Sequence, residues 1–239
     1  MKTFAGVAQE AVESRLGASA PTTARQPGIR RGLLAGILST IRAEGPRHLA
    51  LAFGALVLSI LVGLPLGIVA SGGRFLGRAI LGTAGVLQTI PSLALLCFFI
   101  PLLGTGPLPA LCALFLYGLL PIFENALTGL TTLAPDVTEA ARGVGMTGLQ
   151  RLLRVEMPLA LPVILAGIRF SVVVSIATAT IGSTVAAHTL GEVIIAGLTT
   201  DNTAWVLQGG LVVAVLAVLV YDGLAALERR LTVRTGRAG

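Results

Sequence analysis

Charged residues are scarce in this sequence. They make up 12% of its 239 residues, whereas hydrophobic residues make up 54%, and a soluble domain carries about 25% charged residues. The mean hydropathy is +0.90. A soluble globular domain would lack the polar surface that it needs, and a disordered chain would contain far fewer apolar residues. The composition therefore excludes both classes and indicates a membrane protein.

Lysine and histidine are almost absent, which excludes several kinds of catalytic site. The only lysine is Lys2, and the two histidines, His48 and His188, lie far apart in the sequence. A nucleotide-binding P-loop needs a lysine after its glycines, and a zinc protease needs H-E-x-x-H. Residues 143–148 spell G-x-G-x-x-G, but that motif binds a dinucleotide only between a strand and a helix. We predict no catalytic residue, no cofactor and no metal site.

Cysteine and aromatic residues are also few. Cys97 and Cys112 both lie in apolar runs, so we expect two small buried side chains rather than a disulfide framework. Aromatic residues make up 5% of the chain and do not cluster. Because aromatic faces hold quaternary ammonium groups, the sequence predicts no high-affinity cage for such a ligand.

Five apolar runs are present, and each is long enough to cross a membrane, since about 20 residues span the hydrocarbon core. Backbone in lipid must satisfy its hydrogen bonds within the segment, which predicts helices. The expected fold is an all-α membrane protein with five transmembrane helices. The runs cover residues 49–70, 80–103, 108–130, 161–187 and 205–227.

Positive charge alternates between the loops that join these runs. Loops 71–78 and 131–160 and the C-terminal tail contain arginine, whereas loops 104–107 and 188–204 contain neither lysine nor arginine. Since basic loops remain in the cytoplasm, we predict an inner-membrane protein with its N-terminus outside and its C-terminus in the cytoplasm. These loops also explain the net charge of +6, so we expect contact with membrane lipid and no nucleic-acid partner.

The N-terminal residues 1–47 differ from the remainder of the chain. They hold seven of the 17 basic residues, and their composition at 18–28 is that of a flexible linker. No signal peptide is expected, because no apolar core follows Lys2. Apolar residues at helical spacing predict an amphipathic helix on the membrane surface, with a sixth span as the alternative; they are Leu33, Leu34, Ile37, Leu38 and Ile41. We therefore expect an extension at 1–47, a transmembrane domain at 48–232 and a cytoplasmic tail at 233–239.

The loop of residues 131–160 is the longest connection between spans. Asp136 and Glu139 have the spacing of a helix capping box, and so do Thr147 and Gln150. Glycines between the two boxes permit a chain reversal. The loop is predicted to form two short helices around a glycine corner at the cytoplasmic face.

The same loop resembles the signature of the permease subunits of ABC importers. Its pattern is E-A-A-x3-G-x9-I-x-L-P, except that valine and methionine replace the isoleucine and leucine. The matching residues are Glu139, Ala140, Ala141, Gly145 and Pro158. The resemblance implies the fold of a type I ABC importer permease, in which this segment is a coupling helix that docks on a dimer of separate ATPase subunits.

Further segments resemble the osmoprotectant branch of that family, which moves glycine betaine, choline, carnitine and related compounds. They are residues 88–96, 116–122 and 158–169, and the resemblance covers about residues 48–232. It implies an extracytoplasmic substrate-binding protein and a second permease subunit, identical or different. Two departures bear on the substrate or the assembly: Glu124 stands where a basic residue is usual, and residues 186–192 replace a glycine-rich turn.

Polar residues within the spans are the candidates for the translocation path, because each is costly in lipid unless it is paired or hydrated. Contact between helices is the alternative role for serine and threonine. The candidates are Gln88, Thr89, Ser92, Asn125, Ser171, Ser175 and Thr178. Arg169 and Glu124 are predicted instead to form interfacial pairs or to snorkel toward water.

Three other functions stay open at this point. A related methionine-type amino-acid importer would share the coupling loop. A membrane-embedded enzyme would need clustered histidine and acidic residues, whereas the 11 acidic residues are dispersed. A channel would transport without nucleotide.

Overall fold

The computed structural model describes residues 29–234, with side chains from residue 37 on except at positions 74, 76, 78, 84, 227 and 230–234. The chain divides into two compact units, Met1–Gly36 and Ile37–Gly239, and the second contains all the described side chains. The described part is all-helical, as predicted. The predicted linker at 18–28 and residues 235–239 of the tail lie outside it. The helices are α1 (Ile29–Ser71), α2 (Arg74–Thr89), α3 (Ser92–Leu103), α4 (Pro107–Thr131), α5 (Pro135–Gly143), α6 (Gly148–Arg151), α7 (Met157–Ala179), α8 (Gly191–Thr199) and α9 (Thr203–Arg234).

Within the described residues, four helices are long and apolar enough to cross a membrane. A fifth span results if α2 and α3 count as one broken span, in agreement with the predicted five. The four unbroken spans are Ile37–Ser71, Pro107–Thr131, Gly148–Val185 and Thr203–Ala226. They correspond to four of the five apolar runs.

The second predicted span is broken rather than kinked. Helix α2 ends at Thr89 and α3 begins at Ser92, and the two axes differ by 94°. Pro91, between them, has no N–H and disfavours the helical region for the residue before it. Ile90 accordingly has an extended backbone, with φ −72° and ψ 125°.

Helix α1 continues through the boundary that the sequence analysis placed after residue 47. The span runs without a break from Ile37 to Ser71, although it contains Pro46 and Pro65. Residues 37–47 therefore belong to the helix of the first span and not to a separate surface helix.

Helix α4 packs against most of the other spans, and its most extensive contact is with α7. Small residues allow this approach. A Cβ atom at Gly67 of α1 would lie 2.6 Å from the Cβ of Ala126, and one at Gly167 of α7 would lie 2.6 Å from the Cβ of Asn125. In lipid, where no hydrophobic force drives helices together, such close contacts stabilise the bundle by dispersion. The largest fully buried apolar side chains here include Leu114, Ile122, Phe123, Ile164 and Ile176.

The cysteines are placed differently from one another. Cys112 is half-buried, but Cys97 is exposed, and both thiols are free. The prediction that both are buried is therefore wrong for Cys97, which lies on the outer surface of α3.

Candidate coupling segment and translocation residues

The segment predicted to couple transport to ATP begins with helix α5. Pro135 lies at its start, where the fixed φ of proline suits the first turn, and the N-cap is Ala134. No side chain caps this helix. The predicted capping box of Asp136 and Glu139 is therefore wrong, because the helix begins at Pro135, two residues earlier than the box requires. Asp136 instead lies in the first turn, where its charge suits the helix dipole.

The predicted glycine corner is present at Gly145. Its φ is +80°, a conformation that costs glycine nothing because it has no Cβ. The N–H of Gly145 donates to the carbonyl of Arg142 at 2.9 Å, and the N–H of Met146 donates to the carbonyl of Ala141 at 3.2 Å. This pair of bonds is a Schellman motif, which ends α5 and turns the chain back.

The second capping box is confirmed. The N–H of Gln150 donates to Thr147 Oγ1 at 3.3 Å, and the N–H of Thr147 donates to Gln150 Oε1 at 2.9 Å. The helix that follows is not the separate short helix that we predicted, because α6 continues through a π-helical turn, Leu152–Glu156, into α7. Pro158 lies in the first turn of α7. It offers no N–H to the preceding turn, which accounts for the irregular hydrogen bonding there.

The outer face of α5 is uncovered. Glu139 and Ala140 are exposed, whereas Ala141 is buried, so one face attaches the helix and the opposite face points away from the bundle. Beside α5 lies a cleft of about 850 Å³. It is lined by the ends of α1, α2 and α4 and by an ion pair in which Arg151 Nε lies 2.6 Å from Glu156 Oε1. The lining residues include Ser71, Gly77, Thr131, Thr138, Arg142 and Arg151. A partner that moves α5 would therefore act next to three spans.

Gln88 lies where the second span breaks. Its Nε2 donates to the carbonyl of Tyr117 at 3.3 Å. That carbonyl lacks its usual helical donor, because residue 121 is a proline in α4. The hydroxyl of Tyr117 in turn donates to the carbonyl of Ile90 in the break. Two side chains thus satisfy carbonyls in each other's interrupted helices.

The other two candidates of this cluster are less constrained. Thr89 is exposed, and its hydroxyl donates to the carbonyl of Val86 in its own helix at 2.7 Å. Ser92 is half-buried at the start of α3. Gln88 and Thr89 are both exposed on the single chain, so this polar cluster faces outward from the bundle.

The serine face of α7 lies in a helix contact. Ser171 and Ser175 are 0% and 1% exposed, and the hydroxyl of Ser171 donates to the carbonyl of Gly118 at 2.9 Å. Ser59 of α1 also points to this place, since a Cβ at Gly118 would lie 2.7 Å from Ser171 Oγ and 2.9 Å from Ser59 Oγ. The glycine makes room for three hydroxyl groups from two helices. This burial is that of a helix contact, the alternative role given above.

Asn125 lies within the contact between α4 and α7, directly against Gly167. Asn125 Nδ2 donates to the carbonyl of Pro121 at 2.8 Å, one turn earlier in its own helix. Both Asn125 and Thr178 are half-buried. Neither is exposed to the extent that Gln88 is.

Tyr117, Ser59 and Gly118 were not among the predicted translocation residues, although Tyr117 and Gly118 lie in segment 116–122, which resembles osmoprotectant permeases. Tyr117 is one of only two tyrosines, and Ser59 is a lone hydroxyl in an uncharged run. The rarity of tyrosine and the isolated hydroxyl in an apolar run are sequence signals from which Tyr117 and Ser59 could have been predicted. Nothing in the sequence marks Gly118, whose role depends on which helices pack against it.

Arg169 forms an ion pair, and pairing was one of the two roles predicted for it. Its Nη1 lies 3.2 Å from Glu228 Oε2, and both side chains are mostly buried. The guanidinium also lies over the ring of Tyr221, 5.6 Å from its centre, a distance at which a cation and an aromatic face attract. The contact joins α7 to α9. Glu124, in contrast, is exposed.

The helical bundle carries the E-A-A segment on a short helix, with Glu139 and Ala140 exposed, and the sequence comparison identifies the family. A family model described as "binding-protein-dependent transport system inner membrane component" matches residues 56–233, and the chain belongs to this family. It is therefore a multi-pass inner-membrane transport component and not an enzyme. Its system includes a separate ATPase and a binding protein.

Among relatives of known function, the similarity is to osmoprotectant permeases. The glycine betaine/carnitine/choline transport system permease protein OpuCB of Bacillus subtilis is 40% identical over 185 residues, which are 77% of this chain and 85% of that protein. The osmoprotectant import permease protein OsmW of Salmonella typhimurium is 41% identical over 203 residues, 83% of this chain and 93% of that protein. The carnitine transport permease protein OpuCB of Listeria monocytogenes is 42% identical over 196 residues, 81% and 90% of the two chains.

Two solved structures share the fold. One is the methionine ABC transporter MetNI in an inward-facing conformation, with a TM-score of 0.65 and 20% identity over 79% of this chain and 98% of that chain. The other is an amino-acid ABC transporter with histidines, with a TM-score of 0.67 and 20% identity over 86% of this chain and 99% of that chain. This likeness confirms the expected permease fold.

Proposed function

We propose that this chain is the permease through which an osmoprotectant of the betaine, choline or carnitine type enters the cytoplasm. The identity of about 40% to permeases for these compounds, over 85% or more of their length, carries the proposal. The chain has few aromatic residues, so recognition of the ammonium group rests with the separate binding protein. A methionine-type substrate is favoured only by structural likeness at 20% identity.

A pair of ATPase subunits drives the transport through α5. The exposed face of this helix, with Glu139 and Ala140, is the docking surface, and small side chains there permit close approach of the partner backbone. Movement of α5 is transmitted to the ends of α1, α2 and α4, which line the same cleft as Arg142 and Arg151. Gly145 and Pro158 fix how the segment joins the next span.

The translocation path lies between this chain and a second permease subunit, identical or different. The polar groups in the interior of the bundle, Ser171 and Ser175, are buried against Gly118, which leaves no space for a solute there. Gln88 and Thr89 are exposed beside a broken span. A polar surface in lipid is costly, so a second subunit covers it and the solute passes along it. We assign the half-buried residues Ser92, Asn125 and Thr178 to the same path.

Uptake in cells that carry the whole system tests the substrate class. Labelled glycine betaine, choline, carnitine and methionine are supplied in turn, with and without the binding protein. We expect uptake of at least one osmoprotectant that depends on the binding protein. Uptake of methionine alone would place the chain in the amino-acid branch, and uptake independent of the binding protein would place the affinity site in this chain.

In the membrane, α5 and the C-terminus face the cytoplasm and the N-terminus lies outside. The alternation of basic and non-basic loops supports this orientation. A reporter that is active only in the cytoplasm is fused after Gly239 and, in a second strain, after Ala187. Activity of the first fusion and silence of the second are expected, and the opposite pattern would reject the orientation.

A further inference from the structure

Three side chains of the kind that bind metal ions meet at one end of the bundle. Glu44 lies in α1, His188 lies in the connection that leads to α8, and Glu192 lies in the first turn of α8. One potential ligand atom from each lies within 4.8 Å of the other two. At 1.5 Å per residue, about 40 Å of helix α1 separate Glu44 from Ser71, which lines the cleft beside α5. The cluster is therefore remote from the coupling segment.

The carboxylate of Glu44 lacks a good partner among the described residues. Its Oε2 is buried without a hydrogen bond. The nearest cationic group, Nη1 of Arg47, lies 4.0 Å away on a side chain that is 65% exposed, so it can turn into water. A buried carboxylate oxygen without a donor is costly. A bound cation would remove that cost.

The other two groups are already adjacent and are held by an ordered backbone. His188 Nδ1 and Glu192 Oε1 are 2.7 Å apart. Between them Thr189 is fully buried, and its carbonyl accepts the N–H of Glu192 at 3.0 Å. His188 has a φ of +48°, in the left-handed region, where histidine, asparagine and aspartate are the commonest residues besides glycine. The connection thus presents its two ligands in one arrangement.

The donor set selects the metal. One imidazole with two carboxylates suits Zn²⁺, which accepts three protein ligands and a water in a tetrahedron. Ca²⁺ and Mg²⁺ prefer oxygen ligands alone, so the imidazole disfavours them. With bonds of about 2.0–2.1 Å, tetrahedral ligand atoms lie about 3.3 Å apart. The present separations are 2.7 Å between His188 Nδ1 and Glu192 Oε1 and at most 4.8 Å between any two of the three ligand atoms. Rotation of the side chains brings these distances to that value.

We propose that Glu44, His188 and Glu192 bind a Zn²⁺ ion that joins α1 to the connection preceding α8. The sequence predicted no metal site because these residues are separated by more than 140 positions and match no metal-binding motif. The site requires neither a particular transported solute nor the proposed orientation.

Zinc binding by the full chain tests this proposal. The chain is placed in lipid nanodiscs with an affinity tag that contains no histidine, in a Cys97→Ser, Cys112→Ser background, so that thiols do not bind the metal. Zn²⁺ is titrated in competition with a fluorescent chelator. The variants are Glu44→Gln, Glu192→Gln and His188→Asn, the last chosen because asparagine tolerates a positive φ. Asp201→Asn is the control, since Asp201 also has a positive φ, +52°, and lies outside the cluster.

One Zn²⁺ per chain is expected. Loss of a residue that only supports a ligand weakens metal affinity by about 10- to 100-fold, so each of the three variants should lose at least about tenfold. Asp201→Asn should not change the affinity. The proposal fails if no zinc binds, if the three variants bind within twofold of the parent chain, or if millimolar Ca²⁺ or Mg²⁺ displaces the ion.

X-ray absorption at the zinc edge is measured on the parent chain, in which only the two cysteines are replaced, so the result does not depend on the folding of the three ligand variants. The expected shell contains only nitrogen and oxygen at about 2.0–2.1 Å, with the scattering of one imidazole. A shell without imidazole would overturn the assignment.

Discussion

Gln88 and Tyr117 each satisfy a carbonyl group in the other's neighbourhood. Gln88 donates to the carbonyl of Tyr117 itself, and the Tyr117 hydroxyl donates to the carbonyl of Ile90, two residues after Gln88. Both carbonyls lie at interruptions caused by proline, at Pro91 and Pro121. The broken second span is thereby attached to α4 by hydrogen bonds as well as by packing.

Replacing Tyr117 by phenylalanine should weaken this attachment. A partly buried carbonyl would lose its donor, which costs about 1–3 kcal/mol. We expect a lower temperature of unfolding for the purified subunit and slower uptake. Tyr221→Phe is the matched control, because it keeps the ring over which Arg169 lies. Equal stability of Tyr117→Phe and the unmodified chain would show that the bond to Ile90 is unimportant.

Gly145→Val should uncouple transport from ATP hydrolysis. A positive φ costs an ordinary side chain about 1–2 kcal/mol, and a β-branched residue is the least suited to it. The Schellman motif would open and α5 would be misplaced. We expect normal amounts of the subunit in the membrane, with reduced co-purification of the ATPase and little uptake.

Gly145→Asn distinguishes conformation from contact, since asparagine accepts a positive φ and nothing lies within 4 Å of a Cβ at this position. It should retain most of the uptake. Normal transport by Gly145→Val at normal expression would remove the argument that the corner matters.

Gly167→Ala should separate α4 from α7. The added Cβ would lie 2.6 Å from Asn125 Cβ and 2.7 Å from the carbonyl of Pro121, and such overpacking costs about 1–3 kcal/mol. Thermal unfolding of the purified chain measures the loss. Gly210→Ala in α9 has open space around the new atom, so its stability should be unchanged or higher. A Gly167→Ala chain as stable as Gly210→Ala would contradict the close packing.

Arg169 and Glu228 should prove energetically coupled. Each replacement alone, Arg169→Gln or Glu228→Gln, removes this mostly buried ion pair, which is destabilising. The double variant should recover part of the loss, with an interaction energy of about 0.5–3 kcal/mol in a double-mutant cycle. Strict additivity of the two single effects would show that the ion pair contributes nothing.

The number of spans, the helical class and parts of the local structure of loop 131–160 could all be predicted from local sequence. An apolar run of 20 residues spans lipid whatever packs beside it, and the capping box at Thr147 involves residues three positions apart. The glycine corner at Gly145 is equally local. The error at Asp136 was local too, because the proline before it competes for the start of the helix and was not weighed.

The tertiary structure alone decided which polar side chains meet. The spacing of Ser171 and Ser175 predicts that they share one face of a helix. Only the packing of α7 on α4 buries that face against Gly118. Likewise, the sequence shows that Gln88 is a polar residue in a span, but its contact with Tyr117 depends on where the second span breaks. Glu44, His188 and Glu192 are brought together only when α1 lies beside the connection that precedes α8. The spans follow from the length and polarity of each segment. Contacts between side chains of different helices depend on the rotation of each helix about its own axis, and close packing with neighbouring helices sets that rotation.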